Sequence, residues 1–126
     1  MRRRVSLLWV VVLFTVSCTS YLSDVEAVYL EGRYLEVAET LAQREDEVAR
    51  LSLEQQARYC LYRGLALLHI GDRVGAEYWL CLCHALDTVT AAKLTPRQRQ
   101  LLKEGRRVLR KRHGKEPSPN GRRPGR

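Results

Sequence analysis

Cys60, Cys81, Cys83 and His84 are the residues of this chain whose types and spacing come closest to chemistry, three of them in the run Cys81-Leu82-Cys83-His84. Four such ligands are the number that zinc takes in a structural site. On a helix, however, Cys81 and Cys83 point about 200° apart, at 100° per residue, and cannot share a tetrahedral ion without unwinding. A disulfide is the second reading. A chain that reverses near residue 71 sets Cys60 opposite residues 80–83, and Cys83 is the better partner because it lies one turn from Leu80 on the inner stripe. Packed helix axes about 8–10 Å apart strain that bond. The plain reading has Cys60, Cys81 and Cys83 buried as small apolar residues. Neither His69 nor His84 has the Ser, Asp or Cys neighbours that make a nucleophile and base, and both read as solvated surface residues. No phosphate loop, carboxylate pair or metal signature is present. The expectation is a protein without catalytic residues, metal or cofactor.

The elements that position these residues run from Ser52 to Asp87. Leu53, Ala57, Cys60, Leu61, Gly64, Leu67 and Leu68 keep a helical period over the first half. In the second half Val74, Tyr78, Cys81, Leu82 and Ala85 form one apolar stripe, Ala76, Leu80 and Cys83 another, and Arg73, Glu77, His84 and Asp87 a polar strip. The spacing predicts two antiparallel helices joined at Gly71-Asp72. The second helix needs cover on two sides, so further helices must pack there.

Gly64, Gly71, Asp72, Ala76, Leu80 and Asp87 fall at the spacing of a tetratricopeptide repeat, a helix-turn-helix unit of about 34 residues. The chain resembles that family, with departures at Arg63, Leu67 and Thr88. The stretch from Gly32 to Glu39 resembles a degraded version of the same turn. No strand-like alternation is sustained anywhere, so the expected class is all-α, tetratricopeptide-like, with about two antiparallel helical hairpins and a C-terminal capping helix. The resemblance implies a partner segment lying along the inward face of the first helix of the repeat, where Arg58, Leu61, Leu65, Leu68 and His69 stand.

Three capping boxes mark helix starts at Ser23/Glu26, Ser52/Gln55 and Thr95/Gln98, the last with Pro96 at the first helical position. The first helix carries Val25, Val28 and Tyr29 inward and stops at Gly32. A second runs from Tyr34 through Val37, Ala38, Leu41 and Ala42 to Val48 and Ala49, with Glu45 on the edge of its seam. The last helix places Gln98, Leu101, Leu102, Val108 and Leu109 on one side, to cover the second stripe of the hairpin. Gly105 in its middle costs about 1 kcal/mol against Ala.

Both ends differ from this domain. Met1-Arg2-Arg3-Arg4 and the apolar run that follows have the form of an export signal. Thr15-Val16-Ser17-Cys18 resembles the lipobox of bacterial lipoproteins, which implies cleavage before Cys18 and lipidation of its thiol. Thr19 after it favours the outer membrane, facing the periplasm. The alternative is an uncleaved signal anchor in the inner membrane. The expected organisation is therefore a signal peptide over 1–17, a helical domain over 18–112 and a disordered basic tail over 113–126. From Lys103 onward ten Lys and Arg face two acidic residues, a net of +8, while residues 5–102 carry −3. The basicity belongs to the ends. Arg110, Lys111, Arg112 and Lys115 are candidates for contact with anionic lipid or lipopolysaccharide, at roughly 1 kcal/mol per residue near such a surface. The sequence thus points to a tethered adaptor for an envelope protein or peptide segment, assisting assembly of a pilus, secretion or outer-membrane complex. A nucleic-acid binder is one alternative, requiring that the N-terminal segment not be an export signal. A structural spacer without a groove is the other.

Overall fold

The computed structural model describes residues 21–90 and 94–113, and every regular element among them is helical. The class is all-α. Helix α1 occupies residues 21–30, α2 is Tyr34–Ala42, a 3-10 helix covers Glu45–Arg50, α3 is Leu53–His69, α4 is Arg73–Thr90 and α5 is Pro96–His113. None of the described helices is long and apolar enough to cross a membrane.

Residues 21 and 22 are already helical, so Ser23 lies inside α1 and not at its cap. Tyr21 and Leu22 are both buried, and burial of that extra turn outweighs the local capping signal. The other two boxes form as expected. Ser52 Oγ accepts from Gln55 N–H at 3.2 Å while Gln55 Oε1 accepts from Ser52 N–H at 3.1 Å. Thr95 and Gln98 repeat the exchange at 3.2 and 3.0 Å.

The two chain reversals close in the same way. After α1, Gly32 N–H donates to Tyr29 O at 3.0 Å and Arg33 N–H to Val28 O at 3.3 Å. After α3, Gly71 N–H donates to Leu68 O at 3.3 Å and Asp72 N–H to Leu67 O at 2.9 Å. Both are Schellman closures, and the glycines take the left-handed φ of +81° and +90° that the motif requires. Asp72 then caps α4, its Oδ1 accepting from Gly75 N–H at 3.0 Å.

The second helix is shorter than its apolar spacing predicts. It stops at Ala42, and Val48 and Ala49 belong to the separate 3-10 helix. Glu45, Asp46 and Glu47 stand in the first turn of that helix, where free amides favour negative charge. Val48 docks on the core while Ala49 stays exposed.

Helix α4 runs back along α3, with contacts in descending order from Leu67 near Gly75, through Gly64 at Leu80, to Ala57 at Cys83. A methyl group on Gly64 would lie 2.7 Å from Leu80 Cγ, so the absent side chain sets how closely the helices approach. Helix α5 closes over the same leucine. A methyl group on Gly105 would lie 3.0 Å from Leu65 Cδ2 and 3.1 Å from Leu80 Cδ1. Leu80, fully buried, is held between two glycines on two different helices. The helix cost of Gly105 is offset by this contact.

Tyr59 anchors the other side of the core. Its hydroxyl donates to Leu41 O and accepts from Arg63 Nη1 at 3.0 Å, and its ring meets Trp79 edge-on at 5.5 Å. Arg63 lies 4.4 Å over Trp79 and pairs with Glu45 at 3.0 Å. Arg63 is thus held by three partners at the edge of the core, and Glu45 reaches water at the seam edge.

The expected cover of α4 is only half supplied. Ala76, Leu80 and Cys83 are buried, but Val74, Tyr78 and Leu82 are 83%, 62% and 36% exposed, and Cys81 and Ala85 also face outward. Helix α5 lies along the Leu80 side, fixed by Gly105, and leaves the other stripe open. Val108, predicted to point inward, is exposed.

Candidate functional site

Cys60 and Cys83, one alternative for a disulfide, are free buried thiols, and Cys81, expected to be buried, is exposed. Cys83 Sγ donates to Ala57 O at 3.4 Å. Burial pushes both interior thiols up to about 12, so neither ionises at neutral pH. Among the described residues no three His, Cys, Asp or Glu side chains are grouped to hold a metal ion. His84, read as solvated, is half-buried in a groove against α5.

The five residues expected to face a partner along α3 do not form an open surface. Leu61 and Leu65 are core residues. Leu68 is half-buried, and Arg58 is tied to Glu26 of α1 at 3.7 Å. The chain's own helices fill the space: Tyr29 of α1 meets Tyr62 at 5.4 Å between ring centroids, and Gly105 of α5 closes on Leu65. Only His69 of this set is exposed, at the last turn of α3. Its ring stacks on Tyr34 with centroids 3.8 Å apart and planes within 5°, and Nε2 lies 3.4 Å from the Tyr29 hydroxyl. Desolvation lowers its pKa, which favours the neutral imidazole.

Around that stack the two chain reversals come together. Gly32, Arg33, Tyr34, Leu35, Glu39 and Ile70 line a shallow pocket, with Leu35 58% and Ile70 43% exposed. Glu36 lines it too, paired with Arg33. Apolar surface here is bordered by carboxylates.

A second feature lies on the opposite element. Arg99, Lys103, Arg106, Arg107 and Arg110 follow one another at helical spacing along α5 and line a groove of about 800 Å³ with His84 and Asp87 of α4. Arg99 pairs with Asp87 at 3.4 Å, and among the described residues the other four form no salt bridge. Sequence reasoning assigned the positive charge to the tail and missed this ridge, although its i, i+4, i+7, i+11 spacing was there to be read. Of the expected anionic-surface contacts, Arg110 and Lys111 are exposed on α5. The side chain of Arg112, Lys115, Cys18, the signal segment and the tail from residue 114 lie outside the described residues. In comparisons with known proteins, the chain matches no family model, no curated protein and no solved structure.

Proposed function

We propose that this protein is a membrane-tethered, tetratricopeptide-like adaptor that binds a segment of an envelope protein and carries no catalytic activity. The tether in this reading is a lipidated Cys18 in the outer membrane, facing the periplasm. The observation that carries the binding role is the pocket between the two chain reversals, where Leu35 and Ile70 stand exposed beside the Tyr34–His69 stack. Its chemistry suits a segment with an apolar side chain to sit against Leu35 and Ile70 and a basic residue to meet Glu39, beside the Arg33–Glu36 pair. The α3 face suggested by the repeat resemblance is occupied by α1 and α5, so the proposed binding surface moves to the end of α3 and keeps only His69 from the original set.

A photoreactive residue placed at Leu35 or Ile70, and separately at Arg97 of α5, tests this in the native host. The expected result is a discrete envelope-protein adduct from positions 35 and 70, none from 97, and loss of the adduct when Glu36 and Glu39 are both replaced by Lys. Adducts that are absent, or equal from all three positions, contradict the adaptor reading and favour the spacer.

A further inference from the structure

Two features on neighbouring elements are left largely open among the described residues: the exposed apolar stripe of α4 and, apart from the Arg99–Asp87 pair, the basic ridge of α5. They adjoin. His84 lines the groove on the ridge side of α4, and Cys81, Ala85 and Val74 begin about 60–100° further round the helix at 100° per residue. Beyond them stand Tyr78, Val89 and Leu82, with Val89 83% exposed. One side of the molecule therefore presents a row of cations and, past the exposed Glu77 at about 20° from His84, a row of apolar side chains that includes a tyrosine.

We infer that this α4–α5 face lies on an anionic lipid bilayer, with the α5 ridge at the phosphates and Val74, Tyr78, Leu82 and Val89 entering the headgroup boundary. Charge complementarity selects the occupant. Arg99, Lys103, Arg106, Arg107 and Arg110 share the groove with two acidic side chains, Asp87, which Arg99 holds, and Glu104, which accepts from Gln100 Nε2 at 3.1 Å, so the ridge keeps an excess of positive charge for anions from outside. A polyanionic nucleic acid would satisfy the ridge and leave the apolar row in water. A bilayer satisfies both, because apolar burial and attraction to anionic headgroups add in interfacial binding. A second copy packed antiparallel on the α4 stripe sets the two ridges along the same edge of the contact, where like charges oppose it. The inference rests on the membrane location proposed above, and it orients the molecule there: α4 and α5 toward lipid, with the Leu35–Ile70 pocket formed by other parts of the fold.

Native Cys81 supplies the test. It is exposed within the stripe, whereas Cys60 and Cys83 are buried, so an environment-sensitive maleimide dye on the full chain carrying Cys18→Ser reports from residue 81 alone. Without Cys18 the experiment reads the face and not the lipid tether, so the two can fail separately. The expected result is a blue shift with vesicles containing about 30 mol % phosphatidylglycerol and none with phosphatidylcholine alone. The shift should be reversed in about 1 M NaCl, where the Debye length is about 3 Å. Replacing Arg99, Lys103, Arg106, Arg107 and Arg110 by Gln should weaken partitioning at least about 100-fold. Salt reversal on the unsubstituted ridge stands whether or not that variant folds. An equal shift on both kinds of vesicle, which is insertion by the N-terminal segment, overturns the inference. So does a shift that grows with protein concentration in the absence of lipid, or binding to an oligonucleotide without any response to vesicles.

Discussion

Leu80 is where most of the packing constraint is concentrated. Gly64 and Gly105 leave it no slack, so enlargement at either glycine and truncation of the leucine act on the same space. Gly105→Ile should destabilise by about 1–3 kcal/mol through overpacking, and Leu80→Ala by about 2–5 kcal/mol through the cavity, each measured by urea denaturation. The role of Gly64 was legible from its spacing in the repeat pattern. That of Gly105 was not, because a glycine that helps pack α5 on α3 and α4 looks, within its own helix, like a plain loss. The thiols follow the same logic. Native-state alkylation read by mass should modify Cys81 rapidly and leave Cys60 and Cys83 until denaturant is added. Modification of Cys60 or Cys83 at the rate of Cys81 would contradict their burial. His69 gives a pH dependence. Its pKa lies below the ordinary 6.5 in the folded protein, so the unfolded chain takes up the proton first. The contribution to stability is fully present above about pH 6.5 and declines as pH falls toward the folded value. The melting temperature should drop between roughly pH 7 and pH 5, and His69→Gln should flatten that slope.

At the scale of elements, local signals predicted well wherever backbone amides needed partners. The boxes at Ser52 and Thr95 and the closures at Gly32 and Gly71 are all short-range solutions to the free ends of helices, and each can be read from a few residues. Ser52→Ala should cost about 1 kcal/mol without altering the fold, as judged by circular dichroism. The failures have a common cause. Ser23 has the residues of a cap but lies in a helix that buries Tyr21 and Leu22, and the apolar spacing from Tyr34 to Ala49 continues across a break. In both cases a short local pattern does not report where the backbone is helical beyond it, and Ala42 and Ala49 of the apolar spacing are themselves exposed. Arg63 belongs here too. It looked like a departure from a repeat pattern, yet its guanidinium spans Tyr59, Trp79 and Glu45, which no spacing rule anticipates.

For the whole molecule, the all-α class, the need for cover on α4 and the last helix as cover of the Ala76–Leu80–Cys83 stripe were legible in the sequence, but the lack of a cover over the other stripe was not. Helix α5 could in principle have lain on either apolar stripe. Its position over Leu80 leaves the Val74–Ala85 stripe bare, fills the α3 face and carries the basic ridge to the rim of a groove. The surfaces available for function are thus set by what one terminal helix leaves bare, which is not written in local spacing. They leave the protein with a pocket at the chain reversals and, by inference, a lipid-facing side. Both proposals place the protein at a membrane. The most direct measurement is the intact mass and membrane fraction of the protein from its native host, beside a Cys18→Ala variant. A mature chain beginning at Cys18 with added acyl mass, lost together with membrane association in the variant, is the expected result. An unmodified full-length chain in the soluble fraction would contradict the tether and move the basic ridge of α5 into a cytoplasmic setting, where nucleic acid becomes its natural partner.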